Sequence, residues 1–223
     1  RECRVAISPD VCGQLVKAGF DVQIQAGAGL KSYFSDDQYT TAGAKLVNDA
    51  AAIYSSSDVI LKVNAPKPAE IATMKKGSVL ISFMWAATNS EVVDACANAG
   101  ISAFSVDAIP RISRAQKMDA LSSQANLAGY KSVIMGANAL GKIFPLLMTA
   151  AGTIKPSRVV IFGAGVAGLQ AIATAKRLGA IVEVSDIRPE TKEQVESLGG
   201  KFIIVKGDDT IKIEGGYVKG VSE

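Results

Sequence analysis

The sequence predicts an α/β fold in which two parallel-sheet domains are joined by a long helix. Short apolar runs alternate with helix-like stretches in the first half, and a strand–helix–strand pattern returns at 158–186. Such alternation is typical of βαβ units, and continuous apolar strands are typical of sheets covered by helices on both faces. The apolar runs of the first half lie at 21–25, 58–63, 78–83 and 101–106.

The intervening helices carry start and stop signals. Residues 68–76 and 89–100 read as helices, the second capped by Asn89 or Ser90 and ended by Gly100. A strand pattern is also visible at residues 4–8, RVAIS.

A long helical pattern follows from Asp119, which is a candidate N-cap, and Gly141 and Pro145 break or kink it. Within it, residues 133–152 are long enough to span a membrane, but Lys142 sits at their centre. We therefore predict a buried helix or helix pair there.

These patterns divide the chain into an N-terminal α/β domain at 1–120, connecting helices at 121–157 and a second α/β domain at 158–223. The chain opens close to a strand pattern and closes after a glycine-rich polar segment, so we expect a fragment of a longer protein.

Composition excludes several classes. The chain is 48% hydrophobic and 20% charged, as in globular proteins. Its net charge is only +3, and its lysines and arginines form no basic run that would suit nucleic acid. Cys3, Cys12 and Cys96 have no metal-ligand spacing, so no metal is expected, and their odd number favours a reducing compartment.

A glycine motif follows the strand at 159–162. Gly163 permits a tight turn, Gly165 leaves room for a pyrophosphate at a helix N-terminus, and Gly168 lets helix and strand pack closely. Asp186 ends the next strand, where a carboxylate binds ribose hydroxyls and repels a 2′-phosphate. The pattern predicts a Rossmann-like domain that binds NAD rather than NADP. Arg188 is a counter-signal, interpreted as exposed or packed at the adenine edge.

Two alternatives stay open at such patterns. A glycine turn in an α/β fold can bind nothing, and the pair Gly27 and Gly29, which lacks a third glycine, is interpreted as a strand-end turn.

Residues 111–126, RISRAQKMDALSSQAN, concentrate polar groups in a chain that has no histidine. Most dehydrogenases need a proton carrier, commonly histidine or a tuned lysine. Hydride transfer between two nicotinamide rings needs only positioning. The segment favours that chemistry in the cleft between the domains, although a lysine base is an alternative.

The segments RISRAQKMDALSSQANLAGYKSV and GAGVAGLQAIATAKRLGA closely resemble the NAD(H)-binding domain of the proton-translocating transhydrogenase family, and the likeness runs to about residue 205. It implies that the nicotinamide side is held by Arg111, Gln116, Asp119 and Ser122, with Gln116 orienting the ring. It also implies a pyrophosphate loop of Gly163, Gly165, Val166 and Gly168, and an adenosine site of Asp186 and Ile187. Arg188, two residues after Asp186, is a further candidate for cofactor binding.

The resemblance further implies partners. They are an NADP(H)-binding domain, a membrane domain that couples hydride transfer to proton translocation, and a second copy of the chain in a homodimer. The domain would be soluble, at the cytoplasmic face of a bacterial membrane or in the mitochondrial matrix. A mobile tyrosine-bearing loop and the returning strands would follow residue 223. Residues 207–220 match nothing firmly and are interpreted as an exposed loop.

Two other functions are considered. The alanine dehydrogenase family resembles this chain at RVAISP and LKVNAP, but its catalytic lysine and histidine would fall at Asn64 and Trp85. Amino-acid oxidation is therefore not supported. The other alternative is a module that binds NAD without activity of its own.

Overall fold

The computed structural model describes residues 2–203, 213–214 and 217–218, and divides the chain into two compact units, Arg1–Asp119 and Ala120–Glu223. Each is an α/β unit built on parallel strands, as the sequence predicts.

The first unit contains two small parallel sheets. One pairs β1 (Gln23–Gln25) with β2 (Lys45–Val47), and the other has the order β3 (Val59–Asn64), β4 (Val79–Phe83), β5 (Ser102–Ser105). Its helices are α1 (Pro9–Lys17), α2 (Asp36–Thr41), α3 (Ala50–Ser56), α4 (Pro68–Ile71) and α5 (Ser90–Ala99).

Local capping explains where these helices begin and end. The Ser8 hydroxyl accepts the Val11 N–H at the start of α1, and Ser35 with Gln38 forms a capping box on α2. Helix α5 starts after Asn89 and ends at Gly100, whose φ of +69° is the left-handed conformation that glycine adopts freely. The predicted bounds of α5 are thus confirmed.

Each sheet of the first unit covers its own apolar core. The smaller core contains Cys12, Ile24, Tyr39 and Ala44. The larger one lies between the three-stranded sheet and its helices, and contains Ile60, Ile71, Leu80, Met84, Val92 and Cys96 among others. The turn that follows β1 is fixed by the Gly27 N–H, which donates to Asp36 Oδ1 at 2.9 Å, so this glycine pair forms a strand-end turn as expected.

The second unit begins with the 20-residue helix α6 (Ala120–Ala139), followed by the antiparallel hairpin β6 (Leu147–Thr149) and β7 (Gly152–Ile154). A three-stranded parallel sheet of order β10-β9-β8 follows, made of β8 (Arg158–Phe162), β9 (Ile181–Ser185) and β10 (Lys201–Phe202). Helices α7 (Val166–Arg177) and α8 (Lys192–Ser197) connect its strands. The short pair β11 (Ile213–Glu214) and β12 (Tyr217–Val218) is antiparallel.

The core of this unit joins α6, α7 and β9. Its fully or almost fully buried members include Ile172, Ala175, Val182, Val184 and Val195. Helix α6 contributes Val133, so the long helix packs onto the Rossmann-like sheet and its helices within one core.

Three local expectations were wrong. Residues 4–8 form no strand, because their backbone pairs with no neighbouring strand, and α4 is shorter than the predicted 68–76. The expected buried helix pair at 133–152 is a helix that ends at Ala139 and then a hairpin, because Gly141 and Pro145 stop the helix. Leu147 and Met148 are 43% and 70% exposed, so this segment is not buried throughout.

Within residues 2–203, 213–214 and 217–218, no helix has both the length and the apolar character needed to cross a membrane. The exposed loop expected at 207–220 lies outside the described residues, apart from β11 and β12.

Candidate nucleotide-binding site

The glycine turn of the second unit has the geometry that the motif predicts. Gly163 has a φ of +94° and follows β8 directly, and its N–H donates to the Ser185 carbonyl at 2.7 Å. Strands β8 and β9 run parallel in register, with Phe162 opposite Ser185, so Gly163 and Asp186 emerge at the same edge of the sheet. This edge is where α/β sheets bind ligands.

The N-terminus of α7 opens onto the turn. Gly165 is the N-cap, and a Cβ there would point into open space. A Cβ on Gly168 would instead collide with the Gly163 carbonyl oxygen, so glycine is required there for the helix to pack this closely. The first N–H groups of a helix have no partner within the helix, and they carry the partial positive charge of its dipole. The end of α7 therefore suits an anion such as a pyrophosphate.

Gly129 is a supporting residue that the sequence analysis did not single out. It is buried on α6, and a Cβ there would collide with the carbonyl oxygen of Ala167, in the first turn of α7. Two glycines thus allow the first turn of α7 to pack closely: Gly168 against the turn at Gly163, and Gly129 of α6 against Ala167. A glycine inside a predicted helix can mark such a close approach, but its partner is invisible in the sequence.

Asp186 is almost completely buried, with 3% of its side chain exposed. Its Oδ2 accepts the Ala164 N–H at 2.5 Å and Arg188 Nη2 at 3.0 Å, and its Oδ1 accepts the Arg188 N–H at 2.8 Å and Nε at 3.0 Å. Burial raises the pKa of Asp186, but the hydrogen bonds from Arg188 and Ala164 outweigh it and hold the pKa below its usual value. The carboxylate is therefore ionised near neutral pH.

The structure differs from the expectation for Arg188. Its side chain is 22% exposed and ion-paired to Asp186, rather than free in solvent. Ile187 and Val166, the two apolar residues predicted for this site, are 46% and 40% exposed beside the turn.

The predicted nicotinamide-side residues lie on and around a short 3₁₀ helix, Ser113–Met118, at the end of the first unit. Arg111 and Gln116 are exposed, and Ala115, which is 5% exposed, anchors the segment. The Asp119 N–H donates to the Gln116 carbonyl at 3.3 Å, and Asp119 directly precedes α6. Ser122 lies in the first turn of α6.

Asp107 is a second residue that the sequence analysis did not single out. Its Oδ1 accepts the backbone N–H groups of Met84 at 2.8 Å and Trp85 at 3.1 Å, and the Ser105 hydroxyl at 2.7 Å. These bonds join the carboxyl ends of β4 and β5, just before the chain enters the segment that holds Arg111. Burial raises the pKa of Asp107, but these hydrogen bonds outweigh it and lower the pKa.

The two positions aligned with alanine dehydrogenase chemistry also lie at this edge of the sheet. Asn64 pairs with Phe83 in the β3–β4 register, and Trp85 follows two residues later with a φ of +53°. The Trp85 ring stacks on Phe83 at 6.3 Å between centroids and is 55% exposed. An amide and an indole at these positions supply no acid–base group.

Comparison with known proteins is consistent with this geometry. Residues 1–128 match the family described as "Alanine dehydrogenase/PNT, N-terminal domain", and residues 132–218 match "Alanine dehydrogenase/PNT, C-terminal domain". The chain belongs to the alanine dehydrogenase/PNT family.

Within this family the chain is more similar to transhydrogenases than to alanine dehydrogenases. It is 52% identical over 229 residues to the first segment of the NAD(P) transhydrogenase alpha subunit of Rhodospirillum rubrum, covering all of this chain and 60% of that protein. A solved transhydrogenase from Sinorhizobium meliloti is 50% identical with a TM-score of 0.88, over 92% of this chain and 59% of that one.

A solved L-alanine dehydrogenase is more distant, at 30% identity and a TM-score of 0.79, over 90% of this chain and 56% of that one. The resemblance to transhydrogenase and the Rossmann-like parallel-sheet fold expected from the sequence are thereby confirmed. The chain spans about three-fifths of the length of the Rhodospirillum rubrum relative.

Proposed function

We propose that this chain is the NAD(H)-binding part of a transhydrogenase that passes hydride between NADH and NADP⁺. The observation that carries the proposal is the glycine turn of the second unit. Its open helix N-terminus suits the negative pyrophosphate of a dinucleotide, and the adjacent ionised Asp186 suits the hydroxyls of its ribose. Bound NAD(H) would supply the transferable hydride, and the residues of this chain bind and orient it.

The roles of the residues follow from where they lie. The N–H groups of Val166, Ala167 and Gly168, at the start of α7, would hold the pyrophosphate, and Asp186 would accept the adenosine ribose hydroxyls, with Ile187 and Arg188 beside it. Arg111, Gln116, Asp119 and Ser122 would hold the nicotinamide side, with Gln116 orienting the ring. No group of this set has to remove a proton, which agrees with a chain that lacks histidine.

The proposal includes partners. NADP(H) would bind to a separate domain, and a membrane domain would couple the hydride step to proton translocation. We propose a homodimer, attached to the cytoplasmic face of a bacterial membrane or located in the mitochondrial matrix. The separate partner domains are supported by the relatives themselves, which are alpha subunits, or parts of them, of NAD(P) transhydrogenases.

The experiment that tests this function uses Gln116→Asn, which shortens the side chain by one methylene and keeps the amide. In a complex reconstituted with an NADP(H)-binding domain, single-turnover hydride transfer should slow by about a hundredfold, because small misplacement of reacting atoms is that costly. NADH affinity, titrated in parallel, should change by less than about threefold. A rate that falls only as far as occupancy falls would contradict the positioning role.

The alternative, alanine oxidation, is favoured by the family but opposed by Asn64 and Trp85. The same preparation should release no ammonia from L-alanine in the presence of NAD. Appreciable release would overturn the transhydrogenase proposal in favour of its relative. A module that binds NADH but transfers no hydride, even with the partner domain, would correspond to the second alternative.

A further inference from the structure

Protein donors engage the carboxylate of Asp186 on both oxygens. It accepts hydrogen bonds from the backbone N–H groups of Ala164 and Arg188 and from the guanidinium of Arg188. A carboxylate offers about four acceptor positions, so little capacity is left for another donor. The guanidinium bonds to each oxygen, through Nε and Nη2, both at 3.0 Å.

The backbone and side-chain contacts of Arg188 differ in how easily they can be exchanged. The Arg188 carbonyl accepts from the N–H and hydroxyl of Thr191, at 3.2 and 2.7 Å, which fixes the backbone here. The Arg188 N–H bond to Asp186 is therefore part of the turn. The guanidinium lies at the end of a flexible side chain and can rotate away without moving this backbone.

A vicinal ribose diol presents two O–H donors to a carboxylate, as the guanidinium presents two N–H donors. Both cannot occupy the same acceptor positions of Asp186. A displaced guanidinium remains tethered two residues from Asp186, and so stays within reach of the 2′-oxygen of an adenosine ribose. There its positive charge would attract a 2′-phosphate that the bare carboxylate would repel.

We propose that Arg188 is a specificity-determining residue that competes with the adenosine ribose for Asp186 and lowers the discrimination of this site against a 2′-phosphate. The inference rests on the proposed function, since it takes the turn at Gly163–Gly168 to be the dinucleotide site. It assigns to Arg188 a role beyond contact with adenosine: its charge sets how strongly Asp186 selects NADH over NADPH.

The test measures the affinities of the chain for NADH and for NADPH by calorimetry. In Arg188→Ala, NADH should bind at least as tightly as in the wild type, because its competitor is gone. NADPH should bind about tenfold more weakly, because the 2′-phosphate loses a cation and faces an uncompensated carboxylate. The ratio of the two affinities should rise about tenfold.

Arg188→Lys separates charge from geometry. Lysine keeps the positive charge but cannot form the two-pronged contact, so NADPH affinity should stay within about threefold of the wild type while NADH affinity does not fall.

The matched control is Arg158→Ala, which breaks another arginine–carboxylate pair of the same sheet, Arg158 to Glu183 at 2.6 Å. Arg158 starts β8, whereas the glycine turn begins five residues later at Gly163, roughly 16 Å away at about 3.3 Å per residue. The ratio of NADH affinity to NADPH affinity in Arg158→Ala should equal that of the wild type.

The inference is overturned if the ratio in Arg188→Ala rises by less than about threefold, or if Arg188→Lys loses NADPH affinity as the alanine variant does. Circular dichroism of each variant shows whether the fold is retained. If the alanine variant does not fold, Arg188→Gln removes the charge in its place and should give the same rise in the ratio of affinities. Failure of the nucleotide site on which the inference rests gives a different result, since the wild-type chain would then bind neither nucleotide. Failure of hydride transfer alone would leave both affinities measurable and is detected only in the single-turnover assay.

Discussion

Replacing Gly129 by alanine tests whether α6 and α7 are held at the distance that the nucleotide turn requires. A Cβ on Gly129 would collide with the Ala167 carbonyl oxygen, which is backbone and cannot rotate away. Alanine is favoured over glycine in a helix by about 1 kcal/mol, whereas overpacking of a close contact costs about 1–3 kcal/mol or more. We expect the collision to dominate and the unit to lose about 1–2 kcal/mol.

The same helix supplies a matched control. Gly136 is exposed, and a Cβ there meets nothing within 4 Å, so Gly136→Ala keeps the gain in helix propensity without a collision. It should stabilise the unit by about 0.5–1 kcal/mol. The same glycine-to-alanine substitution is thus expected to change the free energy of unfolding in opposite directions at the two positions of α6. The two variants should differ by about 2 kcal/mol.

Urea denaturation followed by far-ultraviolet circular dichroism measures this difference, which corresponds to a separation of about 1 M between the midpoints. The single tryptophan, Trp85, lies in the first unit, so its fluorescence follows the wrong part of the chain. Gly129→Ala should also weaken NADH binding, because Ala167 lies in the first turn of α7. Equal stability of Gly129→Ala and Gly136→Ala would contradict the expected collision.

Two predictions concern titratable groups of the first unit. Asp107→Asn should lower the free energy of unfolding by about 1–3 kcal/mol at neutral pH, because the backbone N–H groups of Met84 and Trp85 lose a charged acceptor. Burial raises the pKa of Asp107 but its hydrogen bonds lower it overall, so this contribution is present above its ordinary pKa of 3.8. The difference between wild type and variant should therefore shrink as acid urea titrations pass below that value. Burial and the charge of Glu70 raise the pKa of Tyr54 to about 12. The difference in tyrosinate absorbance between the wild type and Tyr54→Phe should show one ring that ionises late. The contribution of Tyr54 to the free energy of unfolding should fall between about pH 10 and about pH 12.

Features whose physical cause is local could be predicted from the sequence alone. The turn after β8 requires a positive φ and no Cβ, so Gly163 and Gly165 could be identified from spacing. The bounds of α5 follow from its own capping residues, and the apolar strands from their composition. Asp186 could be identified because it directly follows the strand that lies beside β8 in folds of this type.

Features that depend on how the backbone folds and on what then surrounds a residue became visible only in the folded chain. Asp107 accepts from backbone 23 and 22 positions earlier, and Gly129 meets a carbonyl of a different helix. The hairpin β6–β7 replaced an expected helix because its two strands satisfy each other's backbone groups once Gly141 and Pro145 have stopped α6. Arg188 reads in the sequence as an exposed cation. Only the fold, by burying Asp186 and holding Ala164 and Arg188 around it, makes that arginine its ion-pair partner.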